Sequence, residues 1–474
     1  MATAADNLVL DPRRSTLGAV PLAGYLARGL SATLVLRLTT IGLSFVTLIV
    51  LSRLLGPEGY GQYAYVMATV AILSPLAAAG MPSIVVREVA ACRSRGDYAR
   101  LQGVVVFAFI VGILAFVILL FAYWSFSMAA AAWAAASAGD HLLLVFALLL
   151  LATLGGPLSA MQQGLKRIVA AQVPFAVIGP LATLLLLLLA WWTWRRPIDV
   201  QDAILLAVLA AAVALAVAVV LTWQAWRQAK PRTRSGYSFE PRAWTAAGFS
   251  LALFGALSAV NAQADIVLLR WLAGPEATGI FHVATRNAHL LTLLLGALIT
   301  PLGPLVAELH AQGERAALQR VVRRSIRVVF LLTLPAALAM IVAGDLYLEL
   351  FGAGFAEAHA ALAILALAQL VNVGAGPVQM LLVMTGHQAR MIPAMTWSML
   401  ANIVLNALLI PSFGATGAAC ATAFSIVLWN AALSYEVRRH LGIDPGVIGP
   451  RLRPPAVAAP GSPRPAHRLP GCER

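Results

Sequence analysis

Apolar residues along this chain come in blocks of about twenty, parted by short polar segments, and about twenty helical residues cross the hydrocarbon core of a bilayer. Twelve blocks read as helices, at about 31–54, 58–80, 103–124, 141–162, 168–192, 203–223, 246–270, 279–304, 324–344, 358–383, 389–410 and 414–435. The Ala-rich stretch 126–138 is apolar but too short to span and is expected as a surface segment. A fourteen-helix arrangement would need it and is set aside. Pro174 and Pro180 should kink the fifth helix, and Pro301 and Pro304 should end the eighth.

Composition agrees with the pattern. Of 474 residues 61% are hydrophobic and only 11% charged, with a mean hydropathy of +0.85. A soluble domain carries roughly a quarter charged residues. That excludes a soluble enzyme and leaves an all-α, multi-pass membrane protein. The charge is lopsided: 33 Lys+Arg against 19 Asp+Glu, a net +14, with only two lysines among the cations. A basic balance of this size could suggest nucleic acid, but loop cations that orient a membrane protein and face anionic lipid explain it better.

In the twelve-helix reading, 27 of the 33 cations fall on one side. The opposite loops hold Arg53, Arg195, Arg196 and Arg270, while Arg37 and Arg286 lie inside spans. Cytoplasmic loops collect Lys and Arg, so both termini are expected inside. Residues 1–30 lack a signal-peptide layout, and the first apolar run should span rather than be cleaved. Cys92, Cys420 and Cys472 have no metal-ligand spacing and form no disulfide framework.

The chain repeats itself. Residues 51–63 read LSRLLGPEGYGQY and residues 269–281 read LRWLAGPEATGIF, sharing G-P-E-x-x-G and an aromatic at an offset of 218. Leu101-Gln102-Gly103-Val104-Val105 matches Leu318-Gln319-Arg320-Val321-Val322 at 217. Six helices return the chain to its starting side, so the halves share one topology about a pseudo-twofold axis along the membrane normal. The expected organisation is a segment 1–30, an N-terminal lobe 31–223, a basic linker 224–245, a C-terminal lobe 246–436 and a Pro/Arg-rich disordered tail 437–474.

These residues carry a family resemblance. The Gly-Pro-Glu-x-x-Gly-x-Tyr turn, Gly80-Met81-Pro82 with its basic segment, Asp265-Ile266-Val267-Leu268-Leu269 running into the second GPE with Ala284-Thr285-Arg286, and Asn402-Ile403-Val404-Leu405-Asn406 with the Ile410–Ala419 block follow in order. Over about residues 25–440 the chain resembles the Wzx-type lipid-linked oligosaccharide flippases of the multidrug/oligosaccharidyl-lipid/polysaccharide exporter superfamily. The resemblance implies two six-helix lobes in a V around a cationic central cavity. It implies movement of an undecaprenyl-diphosphate-linked oligosaccharide to the outer leaflet of a bacterial inner membrane, for exopolysaccharide, capsule or O-antigen. A polysaccharide polymerase and a chain-length regulator are candidate partners, with membrane lipid and no nucleic acid. No cofactor is implied, and the coupling ion, H+ or Na+, stays open.

A diphosphate carried across hydrocarbon calls for intramembrane cations, and Arg forks onto phosphate where Lys is a point charge. Arg37, about two turns into the first helix, reads either as a diphosphate ligand or as a side chain snorkelling to the headgroups. Arg286 and Asp265 lie at similar depth on the eighth and seventh helices, as a structural ion pair or a substrate or ion site. Arg87 could guide the pyrophosphate or simply be an orienting cation. Asn261 shares a face with Asp265, four residues on, and the two line a cavity or bond between helices. Asn402 and Asn406 form a similar pair.

No metal spacing, G-x-S-x-G elbow or P-loop is present, so the chain reads as a transporter rather than an enzyme. A cation-coupled multidrug antiporter of the same fold would favour acidic cavity residues, and only Asp265 qualifies. A membrane-embedded glycan polymerase or glycosyltransferase would need a large loop, and none exceeds about twenty residues. A lipid II flippase would differ only in substrate.

Overall fold

A segment in hydrocarbon must satisfy its backbone N–H and C=O groups internally, which a helix does within itself. The computed structural model describes residues 20–129, 142–194, 196–228 and 237–447, and these are helical almost throughout. In chain order they form α1 (Val20–Ala77), α2 (Met81–Arg95), α3 (Tyr98–Ala129), α4 (Leu142–Gly164), α5 (Ile168–Val173), α6 (Gly179–Thr193), α7 (Val200–Gln228) and α8 (Pro241–Leu272). There follow α9 (Gly274–Leu290), α10 (Leu293–Ala311), α11 (Arg315–Val342), α12 (Gly344–Leu348), α13 (His359–Ala375), α14 (Val378–Met384) and α15 (Met391–Leu441). Most of the Ala-rich stretch, the middle of the linker, residues 1–19 and the tail from 448 lie outside the described residues.

Nine helices among the described residues are long and apolar enough to cross a membrane, and two of these are too long to do so once. Val35–Ala77 has 43 residues, about 65 Å of helix against a core of about 30 Å. It breaks at Gly56, where φ is 67° and ψ 179°, a conformation glycine adopts without steric cost. Pro57, whose ring presets a helical φ, starts the next arm. α15 breaks likewise at Gly414. The first break falls between the predicted first and second blocks, and the other at the first residue of the predicted twelfth. Leu293–Ile299 and Leu302–Ala311 meet at 47°. The figure of twelve stays a reading of the sequence; its eighth block, 279–304, is divided between α9 and α10, which part after Leu290.

Several local expectations need correction. The kink in the fifth block is a π-helical turn, Pro174–Ile178, with the Gly179 N–H donating to the Pro174 carbonyl. Pro301 and Pro304 do not end the eighth block; α10 runs on to Ala311 and bends there instead. The tail expected from 437 begins as helix up to Leu441, and Ile443 and Asp444 are buried. Gln319 is the reason: its Nε2 donates to the Asp444 carbonyl at 2.6 Å and its Oε1 accepts from the Asp444 N–H at 2.5 Å.

The chain divides into two compact units. The first takes the described residues up to Ala284 with Asp345–His359 and Asn406–Ala418. Its core packs Met81, Val85 and Val89 of α2 against Leu101 and Val104 of α3 and Met161 of α4, with Trp244 fully buried. The second takes Thr285–Gly344, Ala360–Leu405 and the described residues from Ala419. Its core is a helical stripe on α11, Leu318, Val322, Ile326 and Val329, set against α14 and the end of α15 at Leu433, Val437 and Leu441.

Candidate functional site

The two copies of the repeated turn meet in the first unit. A Cβ on Gly61 would collide with the Pro275 carbonyl oxygen, and a Cβ on Gly279 with the Pro57 carbonyl oxygen. Both pairs are related by the offset of 218, so residue i meets the partner of j and j the partner of i, as across a twofold axis. Only glycine permits this approach of helix backbones.

Around the contact lies a buried cluster the sequence did not reveal. Tyr60 Oη and His282 Nδ1 are 2.7 Å apart, and the Tyr60 ring meets Phe355 edge-on at 6.3 Å. Phe351 packs on Phe45 at 5.9 Å, and Arg53 Nε donates to the Leu350 carbonyl at 2.7 Å. Residues 345–359 are thereby fastened to the turn at Gly56. Tyr60 was visible as part of the repeated motif, but His282, eight residues past Gly274, carried no signal of its own.

The residues singled out from the sequence fall as follows. Asp265 on α8, half-buried, accepts a hydrogen bond from Asn406 Nδ2 at 2.7 Å, and Asn406 is fully buried. Asn261, one turn before Asp265, is exposed. Arg37 on the first arm of α1 is exposed. Arg286, on the part of α9 that belongs to the second unit, is also exposed. Arg87 pairs with Glu88 at 3.3 Å and keeps its side chain 61% exposed. Arg100 forms the tighter link, to Glu88 at 2.9 Å and to Glu240 at 2.9 Å, tying α2 to the residue before α8.

The second unit holds a chain of amides: Asn430 Nδ2 donates to Asn372 Oδ1, and Asn372 Nδ2 to Gln369 Oε1, each at 3.0 Å. Gln369 and Asn372, three apart on α13, share a face, which was legible; Asn430 on α15 was not. Among the described residues no group of three or more His, Cys, Asp or Glu is placed to hold a metal. Among the described residues the polar groups brought together on these helices are the amides of Gln369, Asn372 and Asn430, the Asp265–Asn406 pair and the Tyr60–His282 pair.

The helical fold is that of a membrane transporter. It matches the inward-facing conformation of a multidrug resistance MATE family transporter of the MOP superfamily with a TM-score of 0.67, at 15% identity, over 85% of this chain and 94% of the other. It matches the lipid II flippase MurJ in an inward closed conformation at 0.55 and 13%, over 86% of each. The family model described as polysaccharide biosynthesis protein covers residues 26–310, and the MatE model residues 251–409. The chain belongs to the polysaccharide biosynthesis protein family. Among curated proteins it is similar to a probable flippase, AglR, of Haloferax volcanii, 28% identical over 169 residues. It is also similar to the same organism's probable low-salt glycan biosynthesis flippase Agl15, 30% identical over 168 residues. Each match covers 35% of this chain and 35% of the relative; the chain thus matches about a third of the length of these relatives.

Proposed function

We propose that this protein is a flippase that carries a lipid-diphosphate-linked oligosaccharide from the cytoplasmic to the opposite leaflet of a bacterial inner membrane by alternating access. Family membership and the names of the two Haloferax relatives support a flippase. The observation that carries the anionic cargo is the exposure of Arg37 on the apolar first arm of α1; Arg286, exposed on the more polar α9, is the second candidate. An Arg facing hydrocarbon costs roughly 2.5–3.5 kcal/mol on insertion scales, so exposed intramembrane arginines belong on a water-lined path. There they meet phosphate oxygens with two parallel hydrogen bonds each. The lobes of this cycle are residues 31–223 and 246–436, both termini are cytoplasmic, and a polymerase and chain-length regulator take the product onward.

Asp265 supports a second reading, a cation-coupled multidrug antiporter, because MATE transporters share the fold. Its carboxylate accepts the Asn406 amide, which weighs for a structural or coupling role over a drug site.

The test is complementation in a bacterium deleted for its own exopolysaccharide flippase, comparing wild type with Arg37→Ala and Arg286→Ala at matched membrane levels. Restored polysaccharide with wild type and loss with either variant is the expected result. Rescue undiminished in both variants removes the arginines from the path. Restored drug tolerance without polysaccharide would favour the antiporter.

A further inference from the structure

At the Arg-rich end of the first unit a cleft of about 340 Å³ opens between α3, α4 and α7, within the range of small-molecule sites. Its lining changes character along the helices. Toward their middle the walls are Val105, Val106, Leu158 and Val219. Toward their ends they are Gln102, Thr222, Trp223, Trp226 and Tyr237. From Val219 to Trp226 is about 10 Å along α7, so an apolar floor gives way within two helical turns to indoles, a phenol, a hydroxyl and an amide. That is the gradient from acyl chain to glycerol, and indoles and phenols are the side chains that settle at that level of a bilayer.

The polar end is built rather than incidental. The Ser238 N–H donates to the Ala99 carbonyl at 3.2 Å, which sets Tyr237 against the start of α3, and Tyr237 stacks on Phe239 at 6.1 Å. Buried Gln162 donates through Nε2 to Thr222 Oγ1 at 2.9 Å, leaving the Thr222 hydroxyl hydrogen available to an acceptor in the cleft. The Gln162 carbonyl oxygen is buried with no partner. Arg227 lies over the Trp223 ring at 4.9 Å. Arg167 bonds Gln228 beside it, and exposed Lys166 adjoins. Among the described residues no carboxylate lines the cleft.

We propose that this cleft binds one anionic phospholipid from the leaflet on the Arg-rich side. One acyl chain lies between Val106, Leu158 and Val219, and an ester carbonyl accepts from Thr222. The phosphate sits on Arg227, close to Lys166 and Arg167. The surplus of positive charge selects an anionic headgroup over a zwitterionic one, whose choline it repels. The lipid would bridge the end of α7 to residues 237–239, the two ends of the segment joining the lobes.

Native mass spectrometry of the full-length protein in detergent, titrated with phosphatidylglycerol or phosphatidylcholine, tests this. Wild type is expected to retain one phosphatidylglycerol in preference to phosphatidylcholine. Val106→Trp, at an exposed wall position, fills the cleft and should abolish that retention. Arg227→Gln, also exposed, should weaken it about tenfold, the worth of one charge-assisted hydrogen bond. Arg196→Gln, at the opposite end of α7, should leave it unchanged. Equal retention of the two lipids, undiminished phosphatidylglycerol in either cleft variant, or a loss in Arg196→Gln as large as in Arg227→Gln overturns the proposal.

Discussion

Single residues here decide how closely helices approach. Gly61 and Gly279 stand where a side chain would occupy the space of a facing carbonyl. Gly61→Val or Gly279→Val should therefore cost about 3 kcal/mol or more by overpacking against backbone that cannot yield. A fall in the thermal midpoint of the detergent-purified protein would register it. Gly42→Ala, with nothing within 4 Å of the added Cβ, should be neutral or stabilising by up to about 1 kcal/mol in the same assay. Asp265→Ala removes the acceptor of the Asn406 amide and should cost about 1–3 kcal/mol, the penalty of a buried donor left unsatisfied. Asp265→Asn, which can still accept, should retain most of the stability. The sequence marked Asp265 and Asn406 as polar groups inside helices, but 141 residues separate them, and no spacing rule pairs them.

At the level of elements, the repeat was legible as text, yet its halves have put equivalent residues to different uses. Gln319 clamps the backbone of Asp444 after the last helix, whereas Gln102, its counterpart at an offset of 217, lines the lateral cleft. Position in a repeat conveys topology; the neighbours that arrive later in the chain convey role. Arg100 shows the same, joining Glu88 of α2 to Glu240 before α8. From the sequence it was one orienting cation among several. Arg100→Gln should lower stability by about 1–2 kcal/mol, between an exposed pair and a buried one, because Arg100 is 26% exposed and Glu88 11%. Arg100→Lys, lacking the planar fork that serves two carboxylates, should recover only part of that on denaturation.

For the molecule as a whole the charge pattern makes an orientation prediction. Reporter domains active only in the cytoplasm should be active when inserted at the turns around Gly96, Gly313 and Gly386. They should be inactive between Arg196 and Asp199 and at Ala273. An active reporter in either of the last two positions would refute the twelve-span topology, since each span inverts the side of everything after it. The turn before α7 has its own anchor: Arg196 pairs with Asp202 at 2.7 Å, and this hydrogen bond raises the guanidinium pKa above its ordinary value.

What the sequence determined by itself was the class: a helical, membrane-spanning chain with a repeated motif. Those properties follow from blocks about as long as a bilayer is thick and from charges that hydrocarbon excludes. Only the tertiary structure decided where proline bends a helix rather than ends it, that Asn406 reaches Asp265, that Tyr60 finds His282, and that α3, α4 and α7 leave a graded cleft. Each of these depends on side chains far apart in the chain packing in one particular register. Apolar blocks in a membrane are equally apolar on many faces, so their pattern specifies that helices span and leaves open which faces meet.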